Sequence, residues 1–199
     1  MAFKGDPIRV IVVPGLHDSG PAHWQTWLQA HFRNAVRVEQ EDWACADLER
    51  WSQRVADTLA RHPPARWVAV AHSFGCLALA HHLARQGSDT IGVQAALMVA
   101  PADPQKFGAE PGLPSTRLPV PSVLIGSETD PWMRVENARS WARKWEAQFL
   151  NLGDVGHINT ESGFGPLPQA KTLVELLIHR LERSRRLERA HPLELSFAI

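Results

Sequence analysis

Residues 68–75 read Val68-Ala69-Val70-Ala71-His72-Ser73-Phe74-Gly75, and the fold follows from how this stretch has to be built. A short apolar run rich in valine and alanine is a buried strand. Beyond it, Leu77, Leu79 and Leu83 continue into a helix that begins at Phe74 or Gly75. A strand that meets a helix with no linker leaves Ser73 on a sharp turn. The residues two before and two after it then pack so closely that only small side chains fit, and Ala71 and Gly75 satisfy this. The turn lifts the hydroxyl above the sheet edge, and the helix start offers the Phe74 N–H and a positive dipole end to developing negative charge. A serine can occupy the same place as an ordinary helix cap, so the pattern needs partners elsewhere in the chain.

Outward from this turn, short β-branched runs alternate with stretches of helical period, the mark of a parallel sheet covered by helices. Strands are expected at Arg9 to Val13, Val36 to Glu39, Trp67 to Ala71, Val93 to Val99, Ser122 to Ile125 and Gln148 to Leu152. Apolar stripes at helical spacing run through Trp24, Trp27, Leu28 and Phe32, and through Leu48, Trp51, Val55 and Leu59. Two more run through Ala138, Trp141, Ala142 and Trp145, and through Leu173, Leu176, Leu177 and Leu181. Most of the eight tryptophans are thereby assigned to packing. The expected architecture is α/β, a mostly parallel six-stranded sheet with helices on both faces. Six prolines between Ala100 and Pro121 exclude a long helix there and suggest a rigid surface loop. With 199 residues, one domain spanning 1–199 is expected, its arginine-rich end (179–199) read as a solvated helix end, a tail free to flex.

An acyl-transfer serine requires a base and a carboxylate to orient that base, and in this architecture they follow in the order Ser, Asp, His. Strand 122–125 leads into Gly126-Ser127-Glu128-Thr129-Asp130-Pro131, which puts Asp130 at a carboxyl strand edge. The last strand leads into Gly153-Asp154-Val155-Gly156-His157, which puts His157 on a glycine-flanked loop over the same edge. Ser73, Asp130 and His157 would converge where open α/β sheets bind their ligands. Asp103, Glu128 and Asp154 compete for the acid role. Asp103 sits in a proline-stiffened loop, Glu128 shares the loop of Asp130, and Asp154 would have to fold back to reach His157.

The first strand delivers Pro14-Gly15-Leu16-His17-Asp18-Ser19-Gly20. Its backbone would complete an oxyanion hole through the Leu16 amide, with His17 as second choice, and Gly15 lets that backbone come close. His17, Asp18, Ser19 and His23 would line the rim. With Gly15 and His72 they make up the expected substrate-contacting set, while Trp24 reads as core. No G-x-G-x-x-G or Walker pattern occurs, so this is not a phosphate cradle. Cys76 lies within an apolar helix and reads as an inert buried thiol. His81 and His82 point about 100° apart on a helix and cannot serve one metal together.

These segments resemble the small serine hydrolases of the YdeN or retinoblastoma-binding-protein-9-like family. The likeness is carried by Pro14-Gly15 with His23-Trp24 and Trp27, by Ala71-His72-Ser73-Phe74-Gly75-Cys76, and by the loop Ser127 to Pro131. Gly156-His157-Ile158-Asn159 with Ser162-Gly163-Phe164-Gly165-Pro166 completes it. Ala71 stands where glycine is commoner, and Leu167 where an aromatic residue is expected. The resemblance implies a compact, cap-less α/β hydrolase with Ser73 as nucleophile, Asp130 as acid and His157 as base. Little chain is left for a lid, so small or short-acyl esters are the implied substrates. A protein-interaction module on the same fold, or acyl transfer or amide cleavage by the same residues, are the other readings.

Composition narrows the partners. Twenty-one Lys and Arg balance twenty-one Asp and Glu, which removes the electrostatic footprint of a nucleic-acid binder. Two cysteines cannot build a disulfide scaffold, so a cytoplasmic location is expected. No apolar run approaches the roughly 18 residues of a membrane span, and Ile8 to Val13 is too short for a signal-peptide core. No metal and no cofactor is expected, and a protein partner remains open.

Overall fold

Six strands, Ile8–Val13 (β1), Val36–Arg37 (β2), Arg66–His72 (β3), Gly92–Val99 (β4), Ser122–Gly126 (β5) and Gln148–Asn151 (β6), form one sheet in the computed structural model, which describes residues 7–86 and 91–189. The order is β2-β1-β3-β4-β5-β6, and every pairing is parallel. Parallel strands need covered faces, and side-chain alternation supplies two apolar surfaces. Ile11, Val13, Ala69, Ala71 and Met98 face one core, shared with helices α2 (Leu48–Ala60), α3 (Phe74–Arg85) and α4 (Val135–Lys144). Val10, Val12, Val68, Val70 and Leu97 face the other, against α1 (Trp24–Ala30) and α5 (Pro168–Arg189). The chain leaves β1 in one direction for β2 and returns to its other side for β3. The β1/β3 crevice is therefore a topological switch point, where open sheets of this kind place ligands.

Two expectations need correction. Leu176 is 58% exposed, and the buried stripe of α5 is Ala170, Val174, Leu177 and Leu181. Several helically spaced apolar sets overlap on this helix, and only its seat against β3 and β4 decides which one is covered. The 100–121 connection is not simply a surface loop. It holds two 3-10 turns, at Pro104–Phe107 and Glu110–Gly112, while Pro101 to Pro104 are buried and Leu113, Leu118 and Val120 reach the core. The arginine-rich segment stays helical as far as Arg189, and 190–199 lie outside the described residues. Among the described residues, no helix is long and apolar enough to cross a membrane.

Candidate active site

Strand β3 ends at His72, α3 starts at Phe74, and Ser73 between them has φ 53°, ψ −127°. Positive φ at a non-glycine residue is strained, and the surroundings hold it here. The Ser73 N–H donates to the Val99 carbonyl at 3.1 Å. A Cβ on Gly75 would collide with the carbonyl of Pro14 and come within 2.6 Å of that of Val13, so only glycine lets α3 start this close to the end of β1. A Cβ on Gly15 would fall 2.7 Å from the Ser73 Cβ. Both close approaches bring the β1 loop against the serine.

Asp130 follows β5 and His157 follows β6, and both reach the serine. His157 Nε2 lies 2.9 Å from Ser73 Oγ, and Nδ1 lies 2.9 Å from both carboxylate oxygens of Asp130. A carboxylate can only accept, so Nδ1 carries the proton and Nε2 presents its lone pair to the serine O–H. The Asp130 side chain is 2% exposed, and its Oδ1 also accepts the Trp132 N–H at 2.8 Å. The three competing carboxylates are engaged elsewhere: Asp103 with Asn137, Glu128 with Asn151, Asp154 with Thr129.

The loop carrying His157 is pinned at several points. Ser162 Oγ accepts the His157 N–H and donates to Asn159 Oδ1, both at 3.0 Å. Thr129 Oγ1 accepts the Gly156 N–H at 3.0 Å, and Ser127 Oγ accepts the Val155 N–H at 3.2 Å, which ties the loop to the Asp130 loop. His72 closes the fixture by placing Nε2 3.0 Å from the His157 carbonyl oxygen. The peptide so held leads into Ile158, a fully buried β-branched residue at φ 48°. Burial, above all, pushes the pKa of His72 well below the ordinary histidine value. His72 is therefore neutral, and Nε2–H donates. His23, whose Nδ1 caps α1 by accepting the Gln25 N–H, is lowered to about 4, by burial and then by the Arg37 charge.

A cleft of about 310 Å³ opens over these groups, and its lining includes Leu16, His17, Asp18, His23, His72 and Ser73. The His17 amide is spent on the Trp43 carbonyl at 2.9 Å, which removes it as an oxyanion donor. Leu16 makes no such bond among the described backbone hydrogen bonds, and Phe74 occupies the first turn of α3, where N–H groups lack helical partners. Ser19 does not reach the cleft: it is 2% exposed, and its hydroxyl donates to Gln25 Oε1 at 2.6 Å. Gln25 in turn donates to the Val13 and Val70 carbonyls. Asp18 lines the cleft but is bonded to Arg37 at 2.8 Å, and that guanidinium also holds the Ser19 carbonyl and Thr26. Leu167 lies in the α5-side core at 1% exposure, away from the cleft wall. Cys76 is buried, and burial pushes its thiol pKa up. Trp132, Phe107, Asn159, Thr160 and Glu161 also line the cleft, and none was singled out as a site residue from the sequence. The aromatic Trp132 two residues after Asp130 was the available signal.

A six-stranded parallel sheet flanked by helices, with a strained serine turn after its central strand, defines a compact α/β hydrolase. A family model described as serine hydrolase matches residues 10–176, and the chain belongs to that family. A YdeN-like hydrolase from Pectobacterium atrosepticum is similar at 31% identity and TM-score 0.82, over 88% of this chain and 92% of that one. The ydeN gene product of B. subtilis shares the fold at 17% identity and TM-score 0.70, over 87% and 99% of the two chains. Acyl-protein thioesterase 2 from Zea mays shares it at 13% identity and TM-score 0.60, over 89% and 96%. Comparison with curated proteins gave no match.

Proposed function

We propose that this hydrolase cleaves small carboxylic esters through an acyl-enzyme on Ser73. The observation that carries the reading is the continuous hydrogen-bonded line from Asp130 through His157 to Ser73. Ser73 Oγ forms a bond to the acyl carbon while its proton passes to His157 Nε2, and the carbonyl π pair moves onto oxygen. The Phe74 and Leu16 amides receive that oxyanion. On collapse the bond to the alcohol breaks, and the leaving oxygen takes the proton from His157. Water repeats the sequence and frees the acid. Asp130 fixes the imidazole tautomer and stabilises its cation. His23 and His72 stay uncharged beside it, so no second imidazolium opposes the proton transfer.

Substrate size is read from the cleft. Its volume of about 310 Å³ lies at the small end of ligand pockets, and the 100–121 connection is packed down by its buried prolines and leucines instead of rising as a lid. Short esters fit this space. An ester panel of graded acyl length, run on wild type, Ser73→Ala and His157→Ala, tests the assignment together with fluorophosphonate labelling of Ser73. Each substitution is expected to lower kcat by about 10⁴- to 10⁶-fold. Equal hydrolysis by wild type and Ser73→Ala would end the reading, and absence of labelling would favour a non-catalytic binding module. Product analysis with competing amine or alcohol acceptors separates hydrolysis from acyl transfer.

A further inference from the structure

Four aromatic rings run in file from the core to the mouth of the cleft. Trp51 meets Phe74 edge-on at 5.2 Å, Phe74 meets Phe107 at 5.2 Å, and Phe107 stacks on Trp132 at 6.3 Å with 28° between the planes. The file ends at Trp132, which is 47% exposed and whose ring lies 6.3 Å from that of His157. It is the one aromatic residue among the exposed large hydrophobics of the described residues. Its backbone is held all the same. The Trp132 N–H donates to Asp130 and its carbonyl accepts the Asp103 N–H at 3.1 Å. Lys106 Nζ holds the preceding Pro131 carbonyl at 2.6 Å and lies 5.7 Å from the indole centroid.

An indole left open to water beside a hydrolytic serine, on a backbone held in place, is apolar surface awaiting a cover. Aromatic rings meet one another at centroid separations of about 4.5–7 Å, the spacing already repeated along this file. Asn159, Thr160 and Glu161, which also line the cleft, are polar. The geometry points to Trp132 as the seat of a planar aromatic ring of the substrate, so that the enzyme prefers aryl-bearing esters to saturated esters of the same size. This rests on the reading of Ser73 as the nucleophile of an esterase.

The test uses two isosteric pairs whose carbonyls are not conjugated to the ring: methyl phenylacetate against methyl cyclohexylacetate, and benzyl acetate against cyclohexylmethyl acetate. The wild type is expected to show a kcat/KM ratio of about three- to tenfold in favour of the aryl member of at least one pair, the size of an aromatic stacking preference. Trp132→Leu should bring that ratio close to one, and Trp132→Phe should keep most of it. Ratios near one for both pairs in the wild type, or a ratio unchanged in Trp132→Leu, would overturn the inference. So would a wild type that hydrolyses none of the four while Ser73 still reacts with a fluorophosphonate. Turnover unaffected by Ser73→Ala would instead sink the nucleophile assignment, so the two failures are distinguishable.

Discussion

The His72 imidazole shows how one side chain next to Ser73 serves a residue 85 positions away. The peptide whose oxygen it holds feeds a β-branched residue in the left-handed region, a conformation that costs about 1–3 kcal/mol and persists only under external constraint. His72→Phe keeps bulk and removes the donor. It should lower kcat about 10- to 100-fold through misplacement of His157, with KM nearly unchanged, and His72→Gln, which restores an amide donor, should recover part of the loss. Steady-state kinetics on a single ester decides it: a fall confined to KM, or no recovery with glutamine, would show that His72 only fills space. The sequence reading set His72 among the substrate contacts, and it does line the cleft. Its bond to a carbonyl of the β6 loop depends on tertiary closure that no local pattern encodes. Ser19 is the residue that does not reach the cleft, since beyond the turn through His17 and Asp18, at φ 66° and 62°, its hydroxyl bonds Gln25.

At the scale of elements, strand positions were legible because buried parallel strands are short β-branched runs with glycine, proline or a sharp turn at their ends. Each observed strand begins and ends within two residues of the sequence reading. Chain order and strand-end placement likewise pointed to Ser73, Asp130 and His157, which the fold brings to hydrogen-bonding distance. Less legible were the elements whose role depends on what they lean against: the covered face of α5, the inward packing of the proline-rich connection, and the aromatic wall built from Phe107 and Trp132. The junction of β1 with α3 carries a sharp expectation. A methyl on Gly75 would strike the carbonyl of Pro14 and that of Val13, the last residue of β1, whose oxygen also accepts the Gln25 side-chain amide. Gly75→Ala should therefore destabilise the fold by about 3 kcal/mol or more, at the upper end of overpacking costs. A urea-unfolding midpoint within a few tenths molar of wild type would show that α3 can slide outward at little cost.

Across the whole molecule, neutral imidazoles are built into both sides of the sheet. His23 and His72 lie beside the cleft, and His82 lies on α3 near α2; burial holds His23 and His82 at about 4 and His72 well below its usual value. His81 adds to the depression at His82, as Arg37 does at His23. The folded pKa of each is below the unfolded value near 6.5, so the unfolded chain binds more protons between about pH 6.5 and 4. The stability they contribute is complete above pH 6.5 and is lost as the pH falls towards 4. For His23 and His82 the loss by pH 5 is about 1–2 kcal/mol each. Urea midpoints should therefore drop between pH 7.5 and pH 5, before most carboxylates protonate. His82→Gln lies outside the proposed chemistry and keeps a polar side chain of similar reach. It should make that drop shallower while leaving ester turnover at pH 7.5 unchanged. Midpoints that stay level down to pH 5, or a His82→Gln profile parallel to wild type, would mean that water reaches these rings and lets them charge within the fold.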